Sequence, residues 1–199
     1  MRGRSRARFR AVSQWELVPE DRGPAPGHLR RFVRSLGRVE HALDLGCGDG
    51  RLSAELDAAG LTAADVSSVA LERARRRLAL RDARFVELEP DAALPLADAA
   101  FDLVLCAETL EHVRDVQLLL SEARRILRPG GRLAITTPAH GRLTVLDVLV
   151  RGLEARFDPL SPHLRFFTRR SLATLLGDLG FEVERLRRQR GSLLAVSRR

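Results

Sequence analysis

Two short stretches carry residue types whose spacing could do chemistry. The first, "LDLGCGDGR" from Leu43 to Arg51, sets Gly46, Gly48 and Gly50 at alternate positions, with Asp44 before the first and Asp49 between the last two. The second, "ETLEH", sets Glu108, Glu111 and His112 at i, i+3 and i+4. Glycines straight after an apolar run let the backbone approach a ligand closely, with no side chain intruding. If the second stretch is helical, its two carboxylates and imidazole share one face. His112 could then serve as a general base with Glu111 orienting it.

The loop is not a dinucleotide fingerprint. That motif needs G-x-G-x-x-G, with pyrophosphate resting on backbone N–H groups at a helix N-terminus. Here the spacing is G-x-G-x-G, and Arg51 stands where the third glycine would be. Asp44 and Asp49 would place negative charge near a pyrophosphate in a partly desolvated cleft, which is unfavourable. They suit a ligand that has cationic groups and no phosphate. S-adenosylmethionine, with a sulfonium and an ammonium beside its adenosine, is such a ligand. Asp65 stands 19 residues after Gly46, at the end of the next strand, where an acidic residue accepts hydrogen bonds from ribose hydroxyls. Capping the helix that follows is the alternative role for Asp65.

The surrounding pattern has to position these groups. Strands are expected at "VEHALDL", "LTAADV", "ARFVELE", "FDLVLCA", "RLAITT", "FEVERLR" and "SLLAVS". Helices are expected at Pro26 to Leu36, "RLSAELDAAG", "VALERARRRLAL", a segment with Val116, Leu119, Leu120, Ala123, Ile126 and Leu127 on one face, and "RRSLATLLGDLG". Pro129 and the glycines of "RPGG" stop one helix and turn the chain into the next strand. Strands alternating with helices mean an α/β sandwich, with a mostly parallel sheet between helical layers. Ligands of such sheets bind beyond the carboxyl ends of the strands, where strand order reverses. That edge collects the glycine loop, Asp65, "ETLEH" and His140. His163, before "LRFFT", reads as structural.

Composition narrows the class. A chain of 199 residues with 45% apolar content suits one domain with a proper core. No apolar run approaches a membrane span of ~20 residues. The arginine-rich start "MRGRSRARFR" has no apolar signal core after it. Cys47 and Cys106 lie far apart without metal or redox spacing, so a reduced, cytoplasmic setting is expected. The net charge is +8, yet every one of the 34 basic residues is arginine, and lysine and tyrosine are absent. The arginines are spread along helices and both termini rather than gathered with aromatics, so nucleic acid is not the favoured partner. "LTVLDVLVRGLEARF" places Leu146, Leu149, Val150, Leu153 and Phe157 on one broad apolar face. The active-site mouth, a second subunit or a peripheral membrane contact would cover it.

With "LDLGCGDG", "ADVSSVALERAR", "LPLADAAFDLVLCAETLEHV", "ARRILRPGGRLAITTP" and "HLRFFTRRSLATLLGDLGFEV" in this order, the chain resembles class I S-adenosylmethionine-dependent methyltransferases. The nearest group is the ubiquinone/menaquinone-biosynthesis-like small-molecule enzymes. The resemblance spans roughly residues 30 to 197. It implies a Rossmann-like three-layer sandwich whose seven strands run 3-2-1-4-5-7-6, the last antiparallel. It implies that residues 26–199 form the methyltransferase domain, with 143–163 a substrate-cap insertion and 1–25 a basic arm serving as a lid. Trp15 on that arm is a candidate cover or a core anchor. Asp44, Gly46 and Gly48 would line the methionine portion of the cofactor and Asp65 would hold the ribose. Glu89, after the third strand, would contact adenine, with Asp91 its rival. In some quinone-ring O-methyltransferases of this group, E-x-x-E-H goes with a divalent metal; in many relatives the Glu-His pair only braces the helix start. No metal is assigned to this chain.

The expected activity is methyl transfer from S-adenosylmethionine to a small, apolar or aromatic acceptor, by a monomer or homodimer. A nicotinamide-dependent enzyme is disfavoured by Arg51 and the carboxylates. A non-enzymatic methyltransferase-like subunit would have a degraded loop, and this one is intact. An RNA or protein methyltransferase is the remaining alternative.

Overall fold

A computed structural model describes residues 14–153 and 161–199. Phe157 and Arg156 of the expected cap, and residues 1–13 of the arm, lie outside the described residues. A short helix α1 (Gln14–Leu17) is followed by α2 (Gly27–Arg34). Then come β1 (Val39–Leu45), β2 (Ala58–Asp65), α3 (Ser68–Arg77), β3 (Ala83–Glu87) and β4 (Phe101–Ala107). The chain continues with α4 (Val116–Ile126), β5 (Leu127–Pro138), α5 (Arg142–Arg151), α6 (Arg169–Asp178), β6 (Glu182–Gln189) and β7 (Ser192–Arg198).

The seven strands form one sheet in the order β3-β2-β1-β4-β5-β7-β6. β1 to β5 pair in parallel, and β7 runs antiparallel to both β5 and β6. The order reverses between β1 and β4, which opens a crevice at their carboxyl ends. Period-2 alternation divides the core between the two faces. Leu43, Leu45, Val104 and Cys106 bury with Leu120, Ala123 and Ile126 of α4 and Leu172 and Leu176 of α6. Ala42, Leu103 and Leu105 bury on the other face with Phe32 and Val33 of α2 and Leu71 and Ala74 of α3. The expected three-layer sandwich is what forms.

Two elements differ from the sequence expectation. The segment "RLSAELDAAG" is not an α-helix: only Ser53–Glu55 make one 3₁₀ turn, and Ala58 to Gly60 already belong to β2. Pairing of Val39 with Ala58 and of His41 with Gly60 draws that end of the segment into the sheet, leaving too few residues for helix. α2 covers the vacated face, and Arg30 and Arg34 each place a guanidinium 2.5 Å from Glu55. "RPGG" is a bulge inside β5 rather than a turn before it. Phe101 pairs with Leu127, then Leu103 with Arg132, and Gly130 at φ +77° absorbs the extra residues.

Helix α4 starts where the Asp115 carboxylate accepts the Leu118 N–H at 2.9 Å, one turn beyond "ETLEH". Asp115→Ala should lower stability by about 1 kcal/mol in urea denaturation without altering ligand affinity. An unchanged midpoint would show that this cap does not hold the helix.

Candidate active site

The loop after β1 is built around positive φ at Gly46 (+77°), Gly48 (+55°) and Gly50 (+77°), a conformation L side chains rarely adopt. Close packing reinforces the requirement. A Cβ at position 46 would stand 2.4 Å from the Thr109 side chain, and one at 48 would stand 2.5 Å from Cζ2 of Trp15. A larger residue at 48 therefore collides first with the indole.

The Asp65 carboxylate organises the loop. Its Oδ2 accepts the Gly48 N–H at 2.8 Å, and its Oδ1 accepts the Ser67 N–H at 2.9 Å. The cap of α3 is Ser67, whose hydroxyl accepts the Ala70 N–H; Asp65 holds that cap residue through its N–H. A carboxylate has about four acceptor sites, so the backbone N–H groups leave Asp65 with acceptor capacity for ribose hydroxyls. Burial pushes its pKa up, opposed by the N–H groups of Ser67, Gly48 and Val66.

Asp44 lies beneath the loop rather than in the open crevice. It is buried, accepts the Ser53 hydroxyl at 2.5 Å, and is raised to about 7, chiefly by desolvation. Asp49 is turned toward arginines: Arg51 Nε is 3.1 Å from Oδ1 and Arg77 Nη2 is 3.8 Å from Oδ2. That pairing removes Asp49 from the charges expected to face a cationic ligand. Glu89 is exposed just past β3, where the Leu88 N–H bonds the Asp65 carbonyl at 2.9 Å. Its rival Asp91 is engaged, with Oδ2 at 3.0 Å from Arg114 Nε. This neighbourhood fits a ligand with a ribose and no phosphate.

"ETLEH" comes together differently from the expected helix face. Glu108 has φ +52° and Leu110–His112 form a 3₁₀ turn. A non-glycine residue held in that region costs of order 1–3 kcal/mol and tends to sit at functional sites. Two threonines at the end of β5, which sequence reading passed over, hold the carboxylates. Thr136 Oγ1 donates to Glu108 Oε1 at 2.8 Å, and Thr137 Oγ1 donates to Glu111 Oε2 at 3.0 Å. The signal was the "TTP" on the same sheet edge. Both carboxyls are raised to about 7, by desolvation first; Glu111 adds its charge to the effect on Glu108. His112 Nδ1 lies 3.0 Å from the Pro162 carbonyl, which accepts its proton and leaves Nε2 as the basic nitrogen. Nε2 is 4.0 Å from Glu111 Oε1.

His163, read from the sequence as structural, lies beside this group. Its ring meets that of His112 edge-on, 4.9 Å between centroids, and ligand atoms of Glu111, His112 and His163 lie within 4.8 Å of one another. His140 packs on Phe166 at 5.0 Å on the same edge. Cys47 and Cys106 are buried thiols pushed up by desolvation, hence inert. Two surface hollows among the described residues lie elsewhere. One is at the amino ends of the strands near His41, Thr62 and Arg128, and the other lies between α6 and β6. Both are away from the carboxyl-end residues just described.

Comparison with known proteins agrees with this geometry. Residues 43–135 match the family described as a methyltransferase domain. Malonyl-acyl-carrier-protein O-methyltransferase of Enterobacter lignolyticus is 36% identical over 153 residues, 75% of this chain and 55% of that protein. A probable S-adenosylmethionine-dependent methyltransferase of Mycolicibacterium smegmatis is 35% identical over 161 residues, 79% of this chain and 57% of that protein. A ubiquinone biosynthesis O-methyltransferase of Idiomarina loihiensis is 37% identical over 100 residues, 48% and 41% of the two chains. The chain spans about half the length of these relatives. In fold it is similar to a methyltransferase structure from Bacillus halodurans, with TM-score 0.73, 18% identity, and coverage of 87% of this chain and 99% of that one. In sequence the chain is similar to S-adenosylmethionine-dependent methyltransferases, and its seven-stranded sheet has the fold of the methyltransferase structures it matches.

Glu111 makes stability pH-dependent in a definite sense. Its folded pKa of about 7 exceeds the ordinary 4.5, so the native state keeps a proton that the unfolded chain has released. Stability from this group is therefore full below about pH 4.5 and lost as pH rises to about 7. Glu111→Gln removes the penalty and keeps an acceptor for Thr137. It should gain on the order of 1–3 kcal/mol more at pH 8 than at pH 4.5 in urea denaturation. Equal effects at both pH values would contradict the raised pKa.

Proposed function

We propose that the protein transfers a methyl group from S-adenosylmethionine to a small, apolar or aromatic acceptor, at oxygen or nitrogen. The observation that carries this reading is the meeting, on one sheet edge, of a glycine loop held by Asp65 and a carboxylate–imidazole group set by β4 and β5. The apolar side chains of α5 support the acceptor class: Leu149 and Val150 are 76% and 75% exposed, directly after the carboxyl end of β5. Phe166 and His140 lie beside that end. Two relatives are described as O-methyltransferases.

Asp65 would accept the ribose hydroxyls, Glu89 would meet the adenine, and Gly46 and Gly48 would leave room for the methionine portion, with Asp44 bracing the loop through Ser53. When bound, the cofactor supplies an activated methyl group on a sulfonium. What this chain adds is position and proton removal. His112 Nε2 would take the acceptor's proton, with Nδ1 fixed on the Pro162 carbonyl and Glu111 alongside. Glu108, held by Thr136, would orient the acceptor. The arm before residue 26 and the segment 143–163 would close the two ends of the crevice.

Titration calorimetry tests the cofactor. Asp65→Ala loses charge-assisted hydrogen bonds worth about 1.5–3 kcal/mol each, so affinity for S-adenosylmethionine should fall at least tenfold. Unchanged affinity in a folded Asp65→Ala protein would move the ribose elsewhere. For the chemistry, His112→Ala should lose ~10²–10⁴ in rate while still binding cofactor. If Glu111, His112 and His163 work through a divalent metal, a chelator will abolish wild-type turnover and magnesium will restore it. Full activity of His112→Ala with chelator present would contradict both versions.

A further inference from the structure

We infer that α5 docks the protein onto a membrane surface rich in anionic lipid, its apolar face in the bilayer and the arginines at its start among the headgroups. The inference deepens the acceptor reading above and rests on it, since an apolar acceptor would be met in that bilayer. It starts from a helix that is inside out. Val145, Leu146, Leu149, Val150 and, just past the helix, Leu153 share one helical face, and each is more than half exposed. The more sheltered side chains are Thr144, Asp147 and Val148. Among the described residues, none of α5 joins either half of the core.

Charge at the start of the helix selects the occupant. Arg188 Nη1 is 3.7 Å from where a Cβ on Gly141, the residue before α5, would stand. The turn Arg190–Gly191 is tied to the same place, where the Ala139 N–H donates to the Gly191 carbonyl at 2.7 Å. Neither arginine is in an ion pair among the described residues. Asp147, the one acid of α5, is paired with Arg151 at 3.3 Å. Phe166, also exposed, packs its ring on His140, two residues before the helix. A second copy would meet these arginines with its own. Anionic headgroups neutralise them instead, and hydrocarbon covers the leucines and valines. α5 has ten residues and is about 15 Å long, half the thickness of a hydrocarbon core, so it lies along the surface. No described helix is long and apolar enough to cross a membrane. Because α5 follows the carboxyl end of β5, docking there turns the catalytic edge toward the bilayer.

Vesicles of equal parts phosphatidylglycerol and phosphatidylcholine are sedimented with the full chain, beside vesicles of phosphatidylcholine alone, with no cofactor or acceptor present. The protein should partition onto the anionic vesicles more strongly, by about tenfold or more, and the difference should shrink as salt rises. Leu149→Glu/Val150→Glu should weaken that partitioning by about tenfold or more. Arg188→Gln/Arg190→Gln should weaken it by about fivefold or more. Both variants should keep the wild-type calorimetric affinity for S-adenosylhomocysteine, which also shows that they fold. Binding that persists in Leu149→Glu/Val150→Glu would come from other basic segments, such as the arginine-rich start, and would overturn the inference. Equal partitioning onto neutral vesicles, or none onto either, would do the same. A wild-type dimer in light scattering that becomes a monomer in Leu149→Glu/Val150→Glu would give the face to a second copy. Those failures leave the cofactor reading standing. No calorimetric binding by the wild type would instead remove the methyl-transfer reading, and with it the reason for docking.

Discussion

The Asp65 carboxylate is the constraint on which the site depends. One oxygen ties the Gly48 N–H and the other the Ser67 N–H, so a single side chain joins the glycine loop, the end of β2 and the start of α3. The parallel pairing of Asp44 with Ala63 and of Asp65 with Glu87 delivers that carboxylate to the sheet edge. Without it, a loop of three left-handed glycines would have little to select one conformation. Burial raises the cost of the charge, and the backbone N–H groups offset part of it. The result is a fixed acceptor with lone pairs to spare, at the place where strand order reverses.

A second acidic centre at the carboxyl end of the sheet is built on another principle. Glu108 and Glu111 are set by hydroxyls from β5, a strand adjacent in space and distant in sequence. Desolvation raises both to about 7, and the Glu111 charge adds to the effect on Glu108. Such a pair can hold or release a proton at working pH, which suits groups that orient a nucleophile and accept its proton. Asp44, under the loop, is raised by desolvation in the same way and accepts the Ser53 hydroxyl.

Much of this was legible in the chain. The alternation of elements implied a mostly parallel sheet with Gly46, Gly48, Asp65 and Glu108 at its carboxyl end, and the resemblance of five collinear motifs implied the strand order. What stayed hidden has physical causes. The helix after the loop has a fair helical sequence, but strand pairing of Ala58 and Gly60 with β1 overrides that local preference. Helical spacing in "ETLEH" gave the right neighbours for the wrong reason, because a left-handed Glu108 and a 3₁₀ turn place them instead. Asp49 pairs with its neighbour Arg51 and also with Arg77, 28 residues away in the chain, and His163 reaches His112 across 51 residues. The two distant partnerships leave no local signal.

The most direct measurement is a crystal structure of the protein with S-adenosylhomocysteine bound. The account predicts both ribose hydroxyls within about 2.6–3.2 Å of the Asp65 carboxylate oxygens, with the ligand lying on Gly46 and Gly48 and its sulfur turned toward the Glu108–His112 turn. A ligand bound with its ribose away from Asp65, or on another edge of the sheet, would contradict it.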